Sequence, residues 1–349
     1  MKNVTISDVA KLAGVSISTV SRVTNGNGKV DAALAKKVND AIQQLHYAPN
    51  VNARNMRSKQ SDTISIIIPT VNFSDILRGA ADEAFLLGYK LNVYSTHGLP
   101  ERELECLQRA LQTGSDGIIY CPVTTKGIEY LKGANTKHIP VVITARRDVM
   151  EFVPHIYLDQ VTACYQATKY LLQHKHRHIA LFAGFWEERP TSVAEFLKMN
   201  ESANAGLYPA VDRLIGYEMA LKEYGIETDP DLIYLTGFEY ENGYKSCKRA
   251  LASLCPFDAV ICPTDRVAAG ALQALQEQNV RVPGQVSIIG YDDGIFAQAT
   301  RPTLTAIHQT SYEIGKIAVN SIVDTWENRP VQTRVLKPKL IVRDSTAAK

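Results

Sequence analysis

Cysteine, tryptophan and long apolar runs are all scarce in this chain. Its 349 residues include six Cys and two Trp, and the cysteines stand singly at 106, 121, 164, 247, 255 and 262. With no Cys-x-x-Cys pair, a zinc ribbon and a dithiol redox motif are excluded, and buried reduced thiols are expected. No apolar run approaches the ~18 residues that a membrane helix needs. Residues 1–8 turn polar at once and lack the apolar core of a secretory signal, so the expected location is the cytoplasm. Also missing are a Gly-x-Ser-x-Gly elbow, a P-loop, and paired carboxylates in a supporting context. Gly26-Asn27-Gly28 has neither the third glycine nor the preceding strand of a dinucleotide fingerprint. Neither an enzyme nor a cofactor site is expected. His174, His176 and His178 alternate ahead of a strand with no Cys or carboxylate cluster beside them, so no metal is expected either.

What is present is globular. Hydrophobic residues make up 45% and charged residues 21%, enough for two or three units with a real core. The net charge of +2 conceals an asymmetry. The first sixty residues hold nine basic side chains against three acidic ones, whereas the remainder holds 29 basic against 33 acidic. A small basic head on a mildly acidic body fits a polyanion-binding module joined to something else.

Capping signals divide the head. Thr5 and Asp8 stand three apart, as in a capping box, before the helically spaced Ile6, Val9, Ala10 and Ala13, and Gly14 supplies a stop. Ser16 caps a second short helix through Thr24. Asp31 caps a third to about Leu45, with Leu34, Val38, Ala41, Ile42 and Leu45 as its apolar stripe. Two short helices joined by a glycine turn, closed by a third, form a helix-turn-helix pattern. The second helix exposes Ile17, Ser18, Ser21 and Arg22, a set that suits a major groove, where Arg makes bidentate contacts to guanine.

The run Val4-Thr5-Ile6-Ser7-Asp8-Val9-Ala10-Lys11-Leu12-Ala13-Gly14-Val15-Ser16-Ile17-Ser18-Thr19-Val20-Ser21-Arg22-Val23 resembles the head of the lactose-repressor (LacI/GalR) family of bacterial transcription regulators. The likeness continues through Lys37-Val38, Leu45-His46-Tyr47-Ala48-Pro49-Asn50 and Ala53-Arg54. By that resemblance Ile17, Ser18 and Arg22 read bases, while Thr5, Ser16, Thr19, Ser21 and Asn25 lie along the phosphate backbone. For Thr19 and Ser21 local capping is the competing role. The segment 50–58 resembles the family's hinge helix, with Ala53 and Met56 at minor-groove positions. Met56 stands where the family usually has a Leu wedge.

In the body, apolar strands alternate with helices. Thr63–Ile68, Lys90–Tyr94, Gly117–Tyr120, Pro140–Ile143 and His155–Leu158 read as strands, followed by His178–Phe182, Leu232–Leu235, Ala259–Ile261 and Val286–Ile289. About ten buried parallel strands exceed one open sheet and predict two doubly wound subdomains. Gly114-Ser115-Asp116-Gly117-Ile118-Ile119, the segment from Ala167-Thr168 to His176-Arg177-His178-Ile179-Ala180, and Val286-Ser287-Ile288-Ile289-Gly290-Tyr291-Asp292-Asp293 resemble body motifs of the same family.

The family resemblance implies an all-α helix-turn-helix head plus an α/β two-lobed regulatory domain like periplasmic binding proteins, with doubly wound parallel sheets. It divides the chain into a head (1–49), a hinge and linker (50–60) and an effector-binding and dimerisation region (61–345). The first lobe takes about 61–159 and 293–324 and the second about 160–292 and 325–345, with crossings near Asp159, Asp293 and Asp324. A sugar-like effector lies between the lobes, held by Arg213 and Asp265, with Phe238 stacking and Asp293 at a crossover. Three departures stand out. The loop after Pro69 is short, Ala145 replaces the usual acid after the fourth strand, and the stretch 185–212 is long. Phe185 and Trp186 in that stretch are assigned to a stacking platform, with the insertion as a lid.

The expected partners are therefore a double-stranded DNA operator, a small sugar-like effector and a second copy of the chain, with no membrane. The body alone equally fits a sugar-binding transport component, against which the head and the polar amino terminus argue. A helix as short as 50–58 is marginal in water by itself. Proteases are expected to cut near Arg54 and Arg57 in the free protein and far more slowly once operator is bound. Equal cutting rates in limited proteolysis with and without operator would overturn the hinge assignment.

Overall fold

The computed structural model describes residues 4–25, 30–47, 61–70, 74–134, 139–147, 149–187, 189–202 and 205–349. The hinge positions Ala53 and Met56, and the side chain of Asn25, lie outside the described residues. The chain divides into two compact units, Met1–Ser61 and Asp62–Lys349.

In the first unit the helices form where the capping residues lie. Helix α1 spans Ile6–Ala13, and Asp8 accepts from the Thr5 N–H at 2.9 Å. It ends at Gly14, whose φ of 65° is left-handed. Helix α2 spans Ile17–Asn25, and Ser16 Oγ accepts from the Thr19 N–H at 3.2 Å. Helix α3 spans Ala32–Leu45, with the Asp31 carboxylate accepting from the N–H groups of Ala33 and Leu34. Each capping side chain satisfies amide donors that have no partner within the helix. Val9, Ala10, Ala13, Val20, Val38 and Ala41 close a small core between the three.

The second unit is built on two six-stranded sheets. The first contains β1 (Thr63–Ile68), β2 (Lys90–Ser95), β3 (Gly117–Tyr120), β4 (Val141–Thr144), β5 (His155–Leu158) and β11 (Arg334–Leu336), in the order β11-β5-β4-β3-β1-β2. The second contains β6 (Ile179–Gly184), β7 (Ile233–Thr236), β8 (Ala259–Ile261), β9 (Ser287–Asp292), β10 (Thr305–His308) and β12 (Lys339–Ile341), in the order β12-β10-β9-β8-β6-β7. All pairings are parallel except the antiparallel β10–β12 edge. Each sheet repeats one doubly wound arrangement, with the topological reversal beside its first strand.

Helices cover both faces of each sheet. The first lobe carries α4 (Ser74–Leu86), α5 (Pro100–Gln112), α6 (Thr125–Gly133) and α13 (Ser311–Trp326). The second carries α7 (Gln160–Gln173), α8 (Val193–Phe196), α9 (Pro209–Glu223), α10 (Tyr240–Ala252), α11 (Asp265–Glu277) and α12 (Ile295–Ala299). The side-chain alternation of a strand sorts the core. Ile64, Ile66 and Ile68 of β1 pack with Ile76, Ala80 and Ile322, whereas Ile67 packs on the opposite face with Leu107 and Leu131. Residues of β6 divide in the same way, Leu181 toward Leu214 and Phe182 toward Leu272. Strands buried on both faces read as continuous apolar runs for this reason.

The crossings between lobes correct the sequence reading. The first, between β5 and α7, falls at Asp159 as expected. The second lies between β10 and α13, at Gln309–Thr310, not near Asp293, because β10 continues the second sheet beside β9. The third lies between β11 and β12, at Lys337–Pro338, not near Asp324, because α13 packs on the first sheet and β11 joins β5. These short strands carry too few residues for a hydrophobic pattern to say which sheet they join.

His176 belongs to the core of the second lobe. It is fully buried, with Nδ1 3.3 Å from Asp258 and Nε2 3.0 Å from the Ala347 carbonyl. Asp258 also accepts from the Arg177 N–H at 3.1 Å and lies 3.2 Å from Lys349 Nζ. Burial pushes its pKa up, but the His176 side chain, the Arg177 amide and Lys349 outweigh that and hold it at about 2. A carboxyl lowered on folding stabilises above its unfolded pKa and loses that contribution as pH falls toward the folded value. Asp258→Asn is therefore expected to cost about 2 kcal/mol above pH ~5. The difference from wild type in denaturant midpoint should close between pH ~4 and ~2; a difference independent of pH would refute the assignment.

Candidate functional site

Two places concentrate polar side chains without obvious structural use. In the first unit it is the outer face of α2. Ile17 is 49% exposed, and Ser16, Ser18 and Arg22 are exposed with it. Ser18 and Arg22 stand one turn apart, on one face, and Arg22 makes no ion pair among the described residues. Ser16 Oγ contacts Ser18 Oγ at 2.8 Å and Thr19 Oγ1 at 2.9 Å, so Thr19 takes part in the local cap. Thr5 is occupied by Asp8 at the start of α1. Ser21 is half-buried.

In the second unit it is a cavity of about 160 Å³ between the lobes. Its walls are the carboxyl ends of strands from both sheets, where doubly wound folds bind ligands. Ala145 and Arg146 follow β4, Trp186 follows β6, Phe238 follows β7, Pro263 to Asp265 follow β8, Asp292 ends β9 and Gln309 follows β10. Asp75 of α4 and Gln160 of α7 add to the polar lining.

Arg213 of α9 is buried, and its guanidinium lies 3.9 Å over the ring of Tyr291. Nε donates to Gln160 at 2.9 Å and Nη1 to the Pro263 carbonyl at 2.9 Å. Gln160 in turn donates to Gln309 at 3.0 Å, and Gln309 to Asp292 at 2.5 Å. This chain of bonds joins two crossover segments to the cavity wall. Asp265, at the start of α11, is 2% exposed; Oδ2 accepts from the Gly294 N–H at 2.7 Å, and Oδ1 has no partner. Its carboxylate packs against Gly290, where a Cβ would lie 2.4 Å from Oδ1. Burial raises the Asp265 pKa, and the neighbouring Asp292 raises it further. Burial raises Asp292 as well, against the opposing pull of Gln309 and Arg213.

Trp186 and Phe238 form the aromatic wall, with ring centroids 4.5 Å apart and planes at 42°. The Trp186 ring also crosses to the first lobe, lying so close over Gly98 that a Cβ there would fall 2.6 Å from it. Phe185, expected beside Trp186 as a platform, instead turns into the core and meets Phe196 edge-on at 5.3 Å. The described far end of the stretch after it is docked against the first lobe. Arg147 and Asp212 form a bidentate pair at 2.7–3.0 Å, and the Arg147 N–H bonds the Gly206 carbonyl at 3.3 Å.

Of the expected effector residues, Arg213, Asp265, Phe238 and Trp186 meet in this cavity. Asp293 does not: it pairs with Arg343 and with His308 at 3.1 Å, and its neighbour Asp292 faces the cavity instead. Two adjacent acids at a strand end cannot be separated by alternation, since φ becomes 107° at Asp292 and 62° at Asp293. Arg146 was missed altogether. Its signal was the neighbouring Ala145, which leaves a buried guanidinium without the usual adjacent acid.

A carboxyl whose pKa is raised by folding costs stability above the ordinary value of about 4, and the cost grows toward neutral pH. Asp265→Asn keeps an acceptor for Gly294 and removes that cost. It is expected to raise the melting temperature of the ligand-free protein at pH 7 by ~2–4 °C or more, with the gain shrinking toward pH 4. A lowered melting temperature at pH 7 would show that Asp265 is a stabilising anion.

Similarity to known proteins covers both units. Residues 5–50 match the bacterial regulatory proteins, lacI family, and residues 168–346 match the periplasmic binding protein-like domain. The HTH-type transcriptional regulator RegA of Clostridium saccharobutylicum is 32% identical over 98% of this chain and 98% of its own length. Catabolite control protein A of Priestia megaterium is 30% identical over 96% of each chain. Among solved structures, the Lac repressor dimer bound to operator and the anti-inducer ONPF superposes with a TM-score of 0.82 at 25% identity, covering 99% of this chain and 100% of that one.

Proposed function

The chain belongs to the lacI family of bacterial regulatory proteins, and on that premise we propose that it is a repressor whose homodimer binds a pseudo-palindromic operator under the control of a small polar effector, a sugar or sugar derivative. That it is a DNA-binding transcription regulator and not an enzyme follows from its relatives. The observation that carries the effector reading is the cavity itself. One set of side chains supplies acceptors (Asp265, Asp292), a donor (Arg213) and aromatic faces (Trp186, Phe238), which is the chemistry that hydroxyls and sugar C–H surfaces require. Its volume of about 160 Å³ lies below the ~300 Å³ at which drug-sized pockets begin, which favours a single ring over an oligomer.

Ile17, Ser18 and Arg22 are assigned to base edges, and Thr5, Ser16, Thr19, Ser21 and Asn25 to the backbone. Exposure of Ile17, Ser18 and Arg22 on one helix supports the first assignment. The homodimer is supported by an exposed apolar patch. Phe85 and Leu86 at the end of α4 are 82% and 75% exposed, and Leu87 just after the helix and Val93 on the edge strand β2 are exposed too. Patches and edges of this kind are normally covered in solution. Coupling between cavity and DNA is of the order of 1–3 kcal/mol in such systems.

Selection of binding sites from a randomised duplex library should return two-fold symmetric sequences. Arg22→Ala should relax preference at one symmetric pair of positions, losing roughly 1–3 kcal/mol there. In a thermal-shift screen of sugars, sugar acids and sugar phosphates, a true effector stabilises by ~2.7 kcal/mol at a hundredfold excess over its Kd. Asp265→Ala should abolish that shift and Trp186→Ala weaken binding several-fold. Asymmetric selected sites, or a shift unaffected by Asp265→Ala, would refute the respective halves of this reading.

A further inference from the structure

Arg146 lines the inter-lobe cavity with 4% of its surface exposed and makes no ion pair among the described residues. A buried guanidinium without a carboxylate is costly, because desolvation is not offset by a counter-charge. Local structure explains why it stays there. Ala145 before it adopts a φ of 57°, and Arg147 after it is clamped by Asp212 and by the Gly206 carbonyl. Nη1 of Arg146 donates to the Ala145 carbonyl at 2.7 Å. Nε is buried with no acceptor. The Nε–Nη2 edge is thus left over, and that edge is one with which arginine grips a carboxylate or phosphate through two parallel hydrogen bonds.

Three further observations agree. Trp186 lines the same cavity from the other lobe, and its Nε1 is also buried without an acceptor. Two donors lacking acceptors among the described residues, in the lining of one cavity, call for an oxygen-rich group. Glu103, on which the Arg146 charge acts, is already filled by Tyr120 Oη at 2.7 Å, the Val123 N–H at 2.8 Å and the Thr124 hydroxyl. Two other charges on the cavity wall are paired: Arg266 with Glu239 at 2.7 Å and Asp75 with Arg78 at 3.2 Å. The Arg213 charge acts on Asp292, and its Nε and Nη1 are taken by Gln160 and the Pro263 carbonyl. Arg146 is therefore the cavity cation whose Nε is left without an acceptor among the described residues.

We propose that the effector of this protein is an anion, a small polyol bearing a carboxylate or phosphate, with its oxyanion seated on the Nε–Nη2 edge of Arg146 beside Trp186. This deepens the reading of the cavity as an effector site and rests on it. The hydroxyl-bearing end then lies toward Asp265 and Asp292, so the ligand is read by donors at one end and acceptors at the other. Arg146 belongs to the first lobe and Trp186, Asp265 and Asp292 to the second, so such a ligand bridges the two.

The test uses the full-length protein and matched probes: neutral hexoses and pentoses, the corresponding uronates and aldonates, and their phosphate esters, read by thermal shift and calorimetry. Acid or phosphate members are expected to bind and their neutral parents to bind at least tenfold more weakly, with carboxylate against phosphate deciding which oxyanion is used. Arg146→Gln should weaken the anion by about 10–100-fold and Arg146→Lys by less. Without ligand, Arg146→Gln should melt at or above the wild-type temperature, since an unpaired buried charge has gone; this keeps the loss of binding from being a folding defect. Neutral sugars binding as well as their acids, with affinity unchanged in Arg146→Gln but lost in Asp265→Ala, would overturn the anion proposal and leave the effector cavity standing. No binding by any probe class would count against both.

Discussion

Two parallel sheets that face each other by the carboxyl ends of their strands set the terms for everything else in the larger unit. A parallel strand releases its chain at that end into a loop, and the loops of both sheets meet across one cavity. Side chains as distant in sequence as Asp75, Arg146, Trp186, Asp265 and Gln309 converge because each lies just past a strand end or at a crossover. Three crossings tie the lobes together, and two of them place Gln160 and Gln309 in the hydrogen-bonded chain that ends on Arg213 and Asp292. The hinge between lobes and the cavity wall are in this way parts of one polar network.

The cavity is also where the molecule gives up stability. Strand cores such as Ile66 to Ile68 and Ile179 to Ala183 are fully apolar and buried. Against them stand a carboxyl held above its usual pKa range with one oxygen unpartnered, a guanidinium without an ion pair and an indole N–H without an acceptor, all among the described residues. Each is a cost that packing elsewhere must offset, and all three line the one cavity, the guanidinium from the first lobe and the other two from the second. Buried polar groups left unsatisfied in an otherwise consistent fold mark the place where a ligand completes the structure. His176 and Asp258 show the contrast. Their bonds to the Arg177 amide and to the C-terminal segment satisfy the carboxylate, and its pKa falls instead of rising.

Legibility in the sequence followed the range of the interaction. Asp31 was readable as a cap and Gly14 as a stop because a helix end is decided within three or four residues. Strands β1, β3, β5 and β8 were readable from their apolar runs, and the family likeness carried Arg213, Asp265 and Phe238 into the cavity. Strands β10, β11 and β12 were not readable, and with them went the second and third crossings, since each mixes polar with apolar residues in place of an apolar run and takes its place in a sheet from its pairing partner. Phe185 and Trp186, adjacent in sequence, were assigned one role and have two, because neighbouring side chains leave a strand end in opposite directions.

By itself, then, the sequence determined the helix-turn-helix head, the doubly wound character of the body and the family, all of which rest on local periodicity, capping and long motif runs. Only the tertiary structure decided which lobe each late strand joins, that Asp292 and not Asp293 faces the cavity, and that Arg146 is buried there without an ion pair among the described residues. Those outcomes depend on strand pairing and on where loops from two sheets meet, and no local stretch of chain encodes that meeting.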